Sequence, residues 1–374
     1  MATNNNNKAL NVPHLRFPEF SGEWNKCTIN DLATVVGGGT PDTTVKSYWG
    51  GDIQWFTPSE IGKNKYVDFS LRTITRDGLD NSSAKLLPLH TILLSSRATV
   101  GECSIASNEC TTNQGFQSLI AKQCNIDFLY YLIQTKKKDL IRNACGSTFL
   151  EISANEIRKI KVAVPVQNEQ EQIAKLLSLI DERIATQNKI IEKLQSLIKG
   201  LAAQLTQSGT PNIRLCDCLE CHSSTLQENC VSVTGSYPVY GATGLIGYTN
   251  NYAYNGESIL IVKDGSGVGS LSYVNDHFSV IGTLNYLTAK ENYSILYLYY
   301  ALMAFNFTPY ITGMAIPHIY FKDYGKAKLF YPSIEKRIRI ASLLHNIEQK
   351  LVVEQNLVIS LSAQKSYLLR MLFI

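Results

Sequence analysis

The feature that most narrows the possible folds is an internal repeat at a constant offset, clearest in two stretches of heptad periodicity. In the first, Ile173, Leu177, Ile180, Ile184, Ile191, Leu194, Ile198, Leu201 and Leu205 fall at alternating steps of four and three once polar Gln187 is counted in the row. A mean step of about 3.5 residues keeps one stripe of an α-helix facing a partner helix, so the spacing predicts a coiled-coil seam. Pro165 precedes the stretch, and Ser208-Gly209-Thr210-Pro211 ends it with residues that do not continue a helix. The second stretch gives Ile340, Leu344, Ile347, Leu351, Val358, Leu361, Leu368 and Leu372, with polar Glu354 and Lys365 completing the row. Ile340 stands as far beyond Ile173 as Pro332 does beyond Pro165 and Gly313 beyond Gly146, and the register holds without a gap to the end of both seams.

Two helices with one seam, each closing half of the chain, most simply pack on each other. The seam leaves their direction open, because the residues between them, 207–332, can span a parallel or an antiparallel pair. A chain that carries both seams can pair with itself, and a repeated unit implies internal pseudo-two-fold symmetry. Gln187 and Glu354 hold equivalent places near the middle of each seam and read as a device that fixes helix register.

The globular halves repeat as well. Residues 13–165 open on Pro13-His14-Leu15-Arg16-Phe17-Pro18 and Trp24, then Val35-Val36-Gly37-Gly38-Gly39-Thr40-Pro41, a strand end with a flexible turn. An aromatic strand follows at 48–58, another strand at 86–94, a helix at 126–144 whose Lys136-Lys137-Lys138 run reads as a solvated face, and a strand at 157–164. In the second half Ser258-Ile259-Leu260-Ile261 answers Thr91-Ile92-Leu93-Leu94, and Val268-Gly269 answers Val100-Gly101 one position late. Between such landmarks the halves diverge: of the 20 tyrosines, 15 lie in 207–332, so the two loop sets differ in chemistry. Two copies of one scaffold with different loops, held apart by a stiff spacer, suit reading two different things at a fixed separation. A helix from Ile173 to Leu205 rises roughly 48 Å at about 1.5 Å per residue, comparable to one to one and a half turns of B-DNA.

Charge limits the partners. The net charge is +4, with Lys+Arg against Asp+Glu at 18 to 15 in residues 1–165 and 6 to 8 in 207–332, too even for a stand-alone basic nucleic-acid binder. No apolar run is long enough to span a membrane. The start, MATNNNNKAL, lacks the apolar core of a signal peptide and reads as a disordered polar tail over residues 1–12, so a cytoplasmic protein with nine reduced cysteines is expected.

The motifs that suggest chemistry have plainer readings. Cys216-Asp217-Cys218-Leu219-Glu220-Cys221-His222 contains the C-x-x-C-H pattern of haem attachment, but that needs export, and a zinc site lacks the distant second pair. These residues read as half-buried strand positions opening the second globular part. Gly265-Ser266-Gly267-Val268-Gly269 misses the dinucleotide spacing and reads as a turn that lets backbone approach a partner. No catalytic constellation nominates itself.

Taken in order, Leu15-Arg16-Phe17-Pro18, Gly38-Gly39-Thr40-Pro41, Tyr48-Trp49-Gly50-Gly51-Asp52-Ile53, Tyr240-Gly241-Ala242-Thr243-Gly244, Ala315-Ile316-Pro317-His318-Ile319 and the Pro-then-seam endings resemble the DNA-specificity subunits of type I restriction-modification systems over essentially the whole chain. The resemblance implies an α/β (α+β) fold with target-recognition domains at 13–165 and 209–332 and antiparallel coiled-coil spacer helices at 166–208 and 333–374. It implies a non-catalytic subunit that reads one half of a bipartite double-stranded DNA site with each domain. Two methylation subunits, supplying S-adenosylmethionine chemistry at adenine, and two restriction subunits, using ATP and Mg, would be its partners. A stand-alone DNA-binding regulator of the same architecture and a fused enzyme are the competing readings. The candidate DNA contacts are loop residues that can bond to base edges or phosphates: Lys63, Lys65, Ser96, Arg97, Thr99, Asn113 and Gln114, then Tyr240, Thr243, Lys263, Ser266, His318 and Lys322.

Overall fold

The computed structural model of the chain describes residues 11–146 and 150–374. Most of the polar tail expected at 1–12 lies outside the described residues. Asn11, near its end, is tied to Trp24, accepting the Trp24 N–H at 2.8 Å and donating its side-chain amide to the Trp24 carbonyl at 2.6 Å. The chain forms two compact units, residues 1–186 with 358–374, and residues 187–357. The two long helices, Gln167–Thr206 and Ile334–Leu372, each contribute to both units.

In the first unit a five-stranded sheet runs in the order Ala33–Gly37, Gln117–Ala121, Ile92–Leu94, Cys103–Ala106, Tyr66–Val67, beside a three-stranded sheet built on the aromatic strand Trp49–Phe56. The central strand Ile92–Leu94 is buried on both faces, which explains its unbroken apolar run. Helix Ile126–Thr135 turns Phe128, Leu129, Leu132 and Ile133 into the same core. The second unit holds a six-stranded sheet, Leu219–Ser223, Leu284–Ala289, Tyr254–Val262, Leu271–Val280, Tyr237–Gly241, Gly244–Thr249, with helix Ile295–Met303 packed on it.

The repeat is written into strand register. Ile92 pairs with Leu119 in the first unit, and Ile259 with Leu287 in the second; Leu94 pairs with Cys103, and Ile261 with Leu271. Ile259 and Ile261 stand at the common offset from Ile92 and Leu94, whereas Leu271 and Leu287 stand one position further from Cys103 and Leu119. A single inserted residue therefore accounts for the one-position lag of Val268-Gly269 behind Val100-Gly101.

Each unit also holds its helices in the same way. In the first, Ile173 and Leu177 share a core with Leu372 and Phe373, and the Tyr131 hydroxyl donates to Asp181 at 2.7 Å while Lys365 pairs with the other Asp181 oxygen at 2.7 Å. In the second, Ile198 and Ala202 share a core with Ile340 and Leu344, and the Tyr300 hydroxyl donates to Glu348, the counterpart of Asp181, at 2.7 Å. Within each unit, later residues of one helix meet earlier residues of the other, so the helices run antiparallel. Every seam position from Ile173 to Leu205 and from Ile340 to Leu372 is buried or half-buried. Gln187 and Glu354 meet: the Gln187 amide donates to Glu354, whose second oxygen also faces Lys350. Equivalent residues touching one another is what the centre of an antiparallel pair of like helices requires.

Three sequence expectations change. The helix expected at 126–144 breaks at Lys136 into Ile126–Thr135 and Lys137–Arg142, a turn that brings Leu140 to full burial. It also spreads the lysine run, with Lys136 donating to the Ile374 carbonyl at 2.7 Å and Lys137 pairing with Glu102, so only Lys138 stays a solvated residue. The strand expected at 157–164 is Lys161–Val164 alone, because Ser153 caps a helix Ala154–Lys159 by accepting the Glu156 N–H, a Ser-x-x-Glu signal in the sequence. The strand expected at 86–94 shrinks to Ile92–Leu94, since Pro88 and His90, at φ +66°, bend the chain before it.

Replacing Gln187 and Glu354 together by Leu removes a buried polar pair from the middle of a mostly apolar seam, and is expected to stabilise the chain by about 1–4 kcal/mol. Backbone hydrogen exchange along both helices should quicken as register loosens. A fall in melting temperature, or exchange no faster than in the parent, contradicts a register role.

Candidate functional site

The loops carrying most of the candidates are held by a second repeat, made of hydrogen bonds. In the first unit Cys145 and Glu151 exchange N–H···O bonds, both at 2.9 Å; Ile152 N–H donates to Ser96 O at 2.9 Å and Ala98 N–H to Leu150 O at 3.2 Å. In the second unit Thr312 and His318 exchange bonds at 2.9 and 2.8 Å; Ile319 N–H donates to Lys263 O at 2.9 Å and Gly265 N–H to Pro317 O at 2.9 Å. Each bond has its counterpart at the offset that relates the two seams. A short hairpin is thereby docked on the loop after the central strand of each sheet. The conformation repeats too: Ala98 and Gly265 both have positive φ, at 63° and 98°, as do Gly101 and Gly269, at 89° and 85°. The glycines read in the sequence as a turn do supply one, and in the first unit Ala98 adopts the same conformation without being glycine.

On this common frame the side chains differ. Arg97 bonds Glu151 through Nε at 3.1 Å and pairs with it at 2.9 Å, both side chains nearly half exposed. At the equivalent places the second unit carries Asp264 and His318, a carboxylate in place of the guanidinium and an imidazole in place of the carboxylate, brought side by side by a bridge between their backbones. Thr99 is exposed and shares a hydrogen bond with the Ser95 hydroxyl at 2.9 Å. The Ser96 N–H donates to Gly115 O at 2.8 Å, which sets Asn113 and Gln114 beside Arg97 and Thr99. Asn113 turns its side-chain amide oxygen inward to accept the Gly115 N–H at 2.8 Å, whereas Gln114 is exposed and accepts from the Thr40 hydroxyl.

In the second unit Lys263, Ser266 and His318 come together through the hairpin, and Lys322 joins them by lying over the Tyr320 ring, 5.1 Å from its centroid, itself 5.0 Å from the His318 ring. The Lys263 N–H donates to Thr283 O and the Ile281 N–H to Tyr240 O, and Tyr240 stands on strand Tyr237–Gly241, which pairs with Leu271–Val280. Tyr240 is half-buried against Phe278, and burial raises its hydroxyl pKa, which keeps it a neutral donor. Thr243 is exposed in the tight turn beyond, where Gly244 has φ +105°.

Two candidates are internal. Lys65 keeps 9 % of its side chain exposed, pairs with Asp127 at 2.7 Å, donates to the Ser178 hydroxyl at 2.6 Å and lies over the Tyr131 ring at 4.8 Å. It ties the sheet to the long helix and offers no free charge, whereas Lys63 two residues earlier is exposed. Ser96 is fully buried, so its contribution is the backbone bonds that hold the frame.

The Cys-rich stretch is structural in its contacts. Cys216 and Cys218 lie in a short helix, Leu215–Cys218, with the Cys218 thiol facing the Arg214 and Leu215 carbonyls at 3.4 Å and its pKa pushed up to about 12 by burial. Cys221 and His222 lie on strand Leu219–Ser223, where His222 bonds the Thr288 hydroxyl at 2.9 Å and stacks on Tyr286. Among the described residues no three His, Cys, Asp or Glu side chains converge as a metal site, and no helix is long and apolar enough to cross a membrane.

The sequence did not single out Glu151, Asp264 or the exposed tips Phe69, Leu71 and Met314, and it marked the exposed Ile316 only as part of the motif at 315–319. The matching glycines Gly146 and Gly313 were the available signal for the hairpins, and each has positive φ.

Comparison with known proteins agrees with this architecture. The family model described as "Type I restriction modification DNA specificity domain" matches residues 21–196 and again 213–361. The chain is 39% identical over 183 residues to the type I restriction enzyme MjaIX specificity subunit of Methanocaldococcus jannaschii, a match covering 46% of this chain and 42% of that protein. It is 25% identical to the EcoprrI specificity subunit of Escherichia coli over 87% of each chain. A crystal structure of a type I restriction-modification S subunit from M. genitalium has the same fold, with TM-score 0.64 over 97% of this chain and 99% of that one at 19% identity.

The internal placement of Lys65 gives a direct contrast. Lys65→Ala should destabilise the chain by about 2 kcal/mol by leaving Asp127 without its charged partner, and Lys63→Ala should leave the melting temperature unchanged. Equal melting temperatures for the two variants would show that the Lys65 ion pair contributes nothing.

Proposed function

Since the chain belongs to the type I restriction-modification DNA specificity family, we propose that it is a non-catalytic specificity subunit that reads a bipartite site in double-stranded DNA, one half with each unit. The observation that carries this reading is the repeated hairpin-on-loop frame, which keeps its backbone bonds and changes its side chains. Arg97 beside Glu151 in one copy and Asp264 beside His318 in the other present different donors and acceptors from the same backbone. A guanidinium favours guanine O6 and N7, whereas a carboxylate accepts from the cytosine amino group. Two copies of one frame with unlike loops therefore suit two half-sites of unlike sequence.

The long helices act as the spacer that sets the gap between the half-sites, and as the main docking surface for two methylation subunits, through which two restriction subunits join. Those partners supply S-adenosylmethionine, ATP and Mg chemistry, and the assembly works in the cytoplasm. A net charge of only +4 fits a subunit whose grip on phosphates is completed by its partners. Lys63, Arg97, Thr99 and Gln114 in the first unit, and Thr243, Lys263, Ser266, His318 and Lys322 in the second, are the proposed DNA-facing set. Asn113 and Tyr240 stand beside them as positioning residues.

Selection from a randomised duplex library, by the chain with and without its methylation subunits, tests the reading. Enrichment of a split motif with a fixed gap, sharpened by the methylation subunits, is expected. One continuous site bound tightly by the chain alone would point to a free-standing regulator instead, and no enrichment in either condition would contradict DNA reading altogether.

A further inference from the structure

The hairpin at 312–319 presents an apolar tip that the fold leaves uncovered. Met314 is fully exposed and Ile316 is 64 % exposed. The base of the hairpin is held by the paired Thr312–His318 bonds and by those from Ile319 to Lys263 and from Gly265 to Pro317. Gly313, at φ +90°, closes the turn so tightly that a Cβ there would lie 2.3 Å from the Ile316 carbonyl oxygen and 2.7 Å from His318 Nδ1. The His318 ring nitrogen in turn lies 3.2 Å from the Ile316 carbonyl oxygen. A tip braced in this way cannot fold back to bury its own side chains, and a partner that covers it meets little ordering cost.

The surroundings define the partner. Lys322 with Tyr320 stands on one side and Ser266, exposed, on the loop beneath, which are side chains that bond phosphate oxygens. Apolar groups flanked by cationic and hydroxyl groups match a DNA groove, where base edges and thymine methyls lie between two rows of phosphates. Met, Ile and Pro are also the side chains that proteins wedge against base steps, and the tip reads Met314-Ala315-Ile316-Pro317.

We propose that Met314 and Ile316 are the apolar contact of the second unit with the base pairs of its half-site, entering a groove while Lys322 and Ser266 hold the adjacent backbone. This inference rests on the DNA-specificity reading. It adds a pair of specificity-determining residues that carry no hydrogen-bonding group and so escape a search for polar base readers.

The test uses the chain assembled with its methylation subunits, with Met314→Ala, Ile316→Ala, the double variant, and Lys322→Ala as a control. Because the tip is exposed, the melting temperature should not change. The double variant should bind the wild-type motif roughly tenfold more weakly and lose preference at one or two adjacent positions of a single half-site. Its dependence of affinity on salt should be unchanged, since no phosphate contact is lost. Lys322→Ala should weaken binding to all sequences and lower the salt slope by about one ion. Unaltered affinity and motif in the double variant overturn the inference, as does loss of methylation-subunit assembly in the absence of DNA, which would make the tip a protein contact. A wild-type chain that selects no motif contradicts the specificity reading and this inference together, whereas a wild-type motif kept intact by the double variant contradicts this inference alone.

Discussion

Burial of one narrow stripe on each long helix is the constraint on which the architecture depends. A helix of 40 residues such as Gln167–Thr206 is mostly polar and has little reason to persist alone in water. Its stripe is covered by the same stripe of Ile334–Leu372 and by the core of whichever unit it passes through. Each fully covered Leu or Ile contributes about 1.5–3 kcal/mol, so the seam supplies most of what holds the helices. The polar members are few, and each has a partner: Gln187 with Glu354, and Lys365 with Asp181. Tyr131 and Tyr300 then fasten each sheet-and-helix body to its own stretch of helix through a single carboxylate.

Much of this was legible in the sequence because it is periodic. Heptads show as spacing, and the constant offset between the halves shows wherever apolar landmarks such as Ile92 and Ile259 survive divergence. The direction of the helices was not legible from the seam, since a stripe reads the same both ways; contacts such as Gln187 with Glu354 reveal it. Local breaks were missed where a capping or turn residue overrides apolar pattern, as at Ser153 and His90.

The candidate site was only partly legible, for a physical reason. Whether a lysine is free or spent is decided by partners distant in sequence, and Lys65 finds both of its own, Asp127 and Ser178, far along the chain. Ser96 is likewise fixed by a hairpin that the chain reaches only at Ile152. What the sequence hardly showed, beyond the matching Gly146 and Gly313, is that the hairpin bonds repeat even though most of the residues making them differ. Backbone bonds carry no side-chain signature, so a frame can be kept while its chemistry is exchanged.

Under the proposed function the long helices set the gap between the half-sites, and each unit reads its half independently of that gap. Inserting one heptad into both long helices, in phase with the seam, and repeating the library selection tests this most directly. The same two half-site sequences separated by a wider gap are expected. An unchanged gap, or new half-site letters, would contradict this reading.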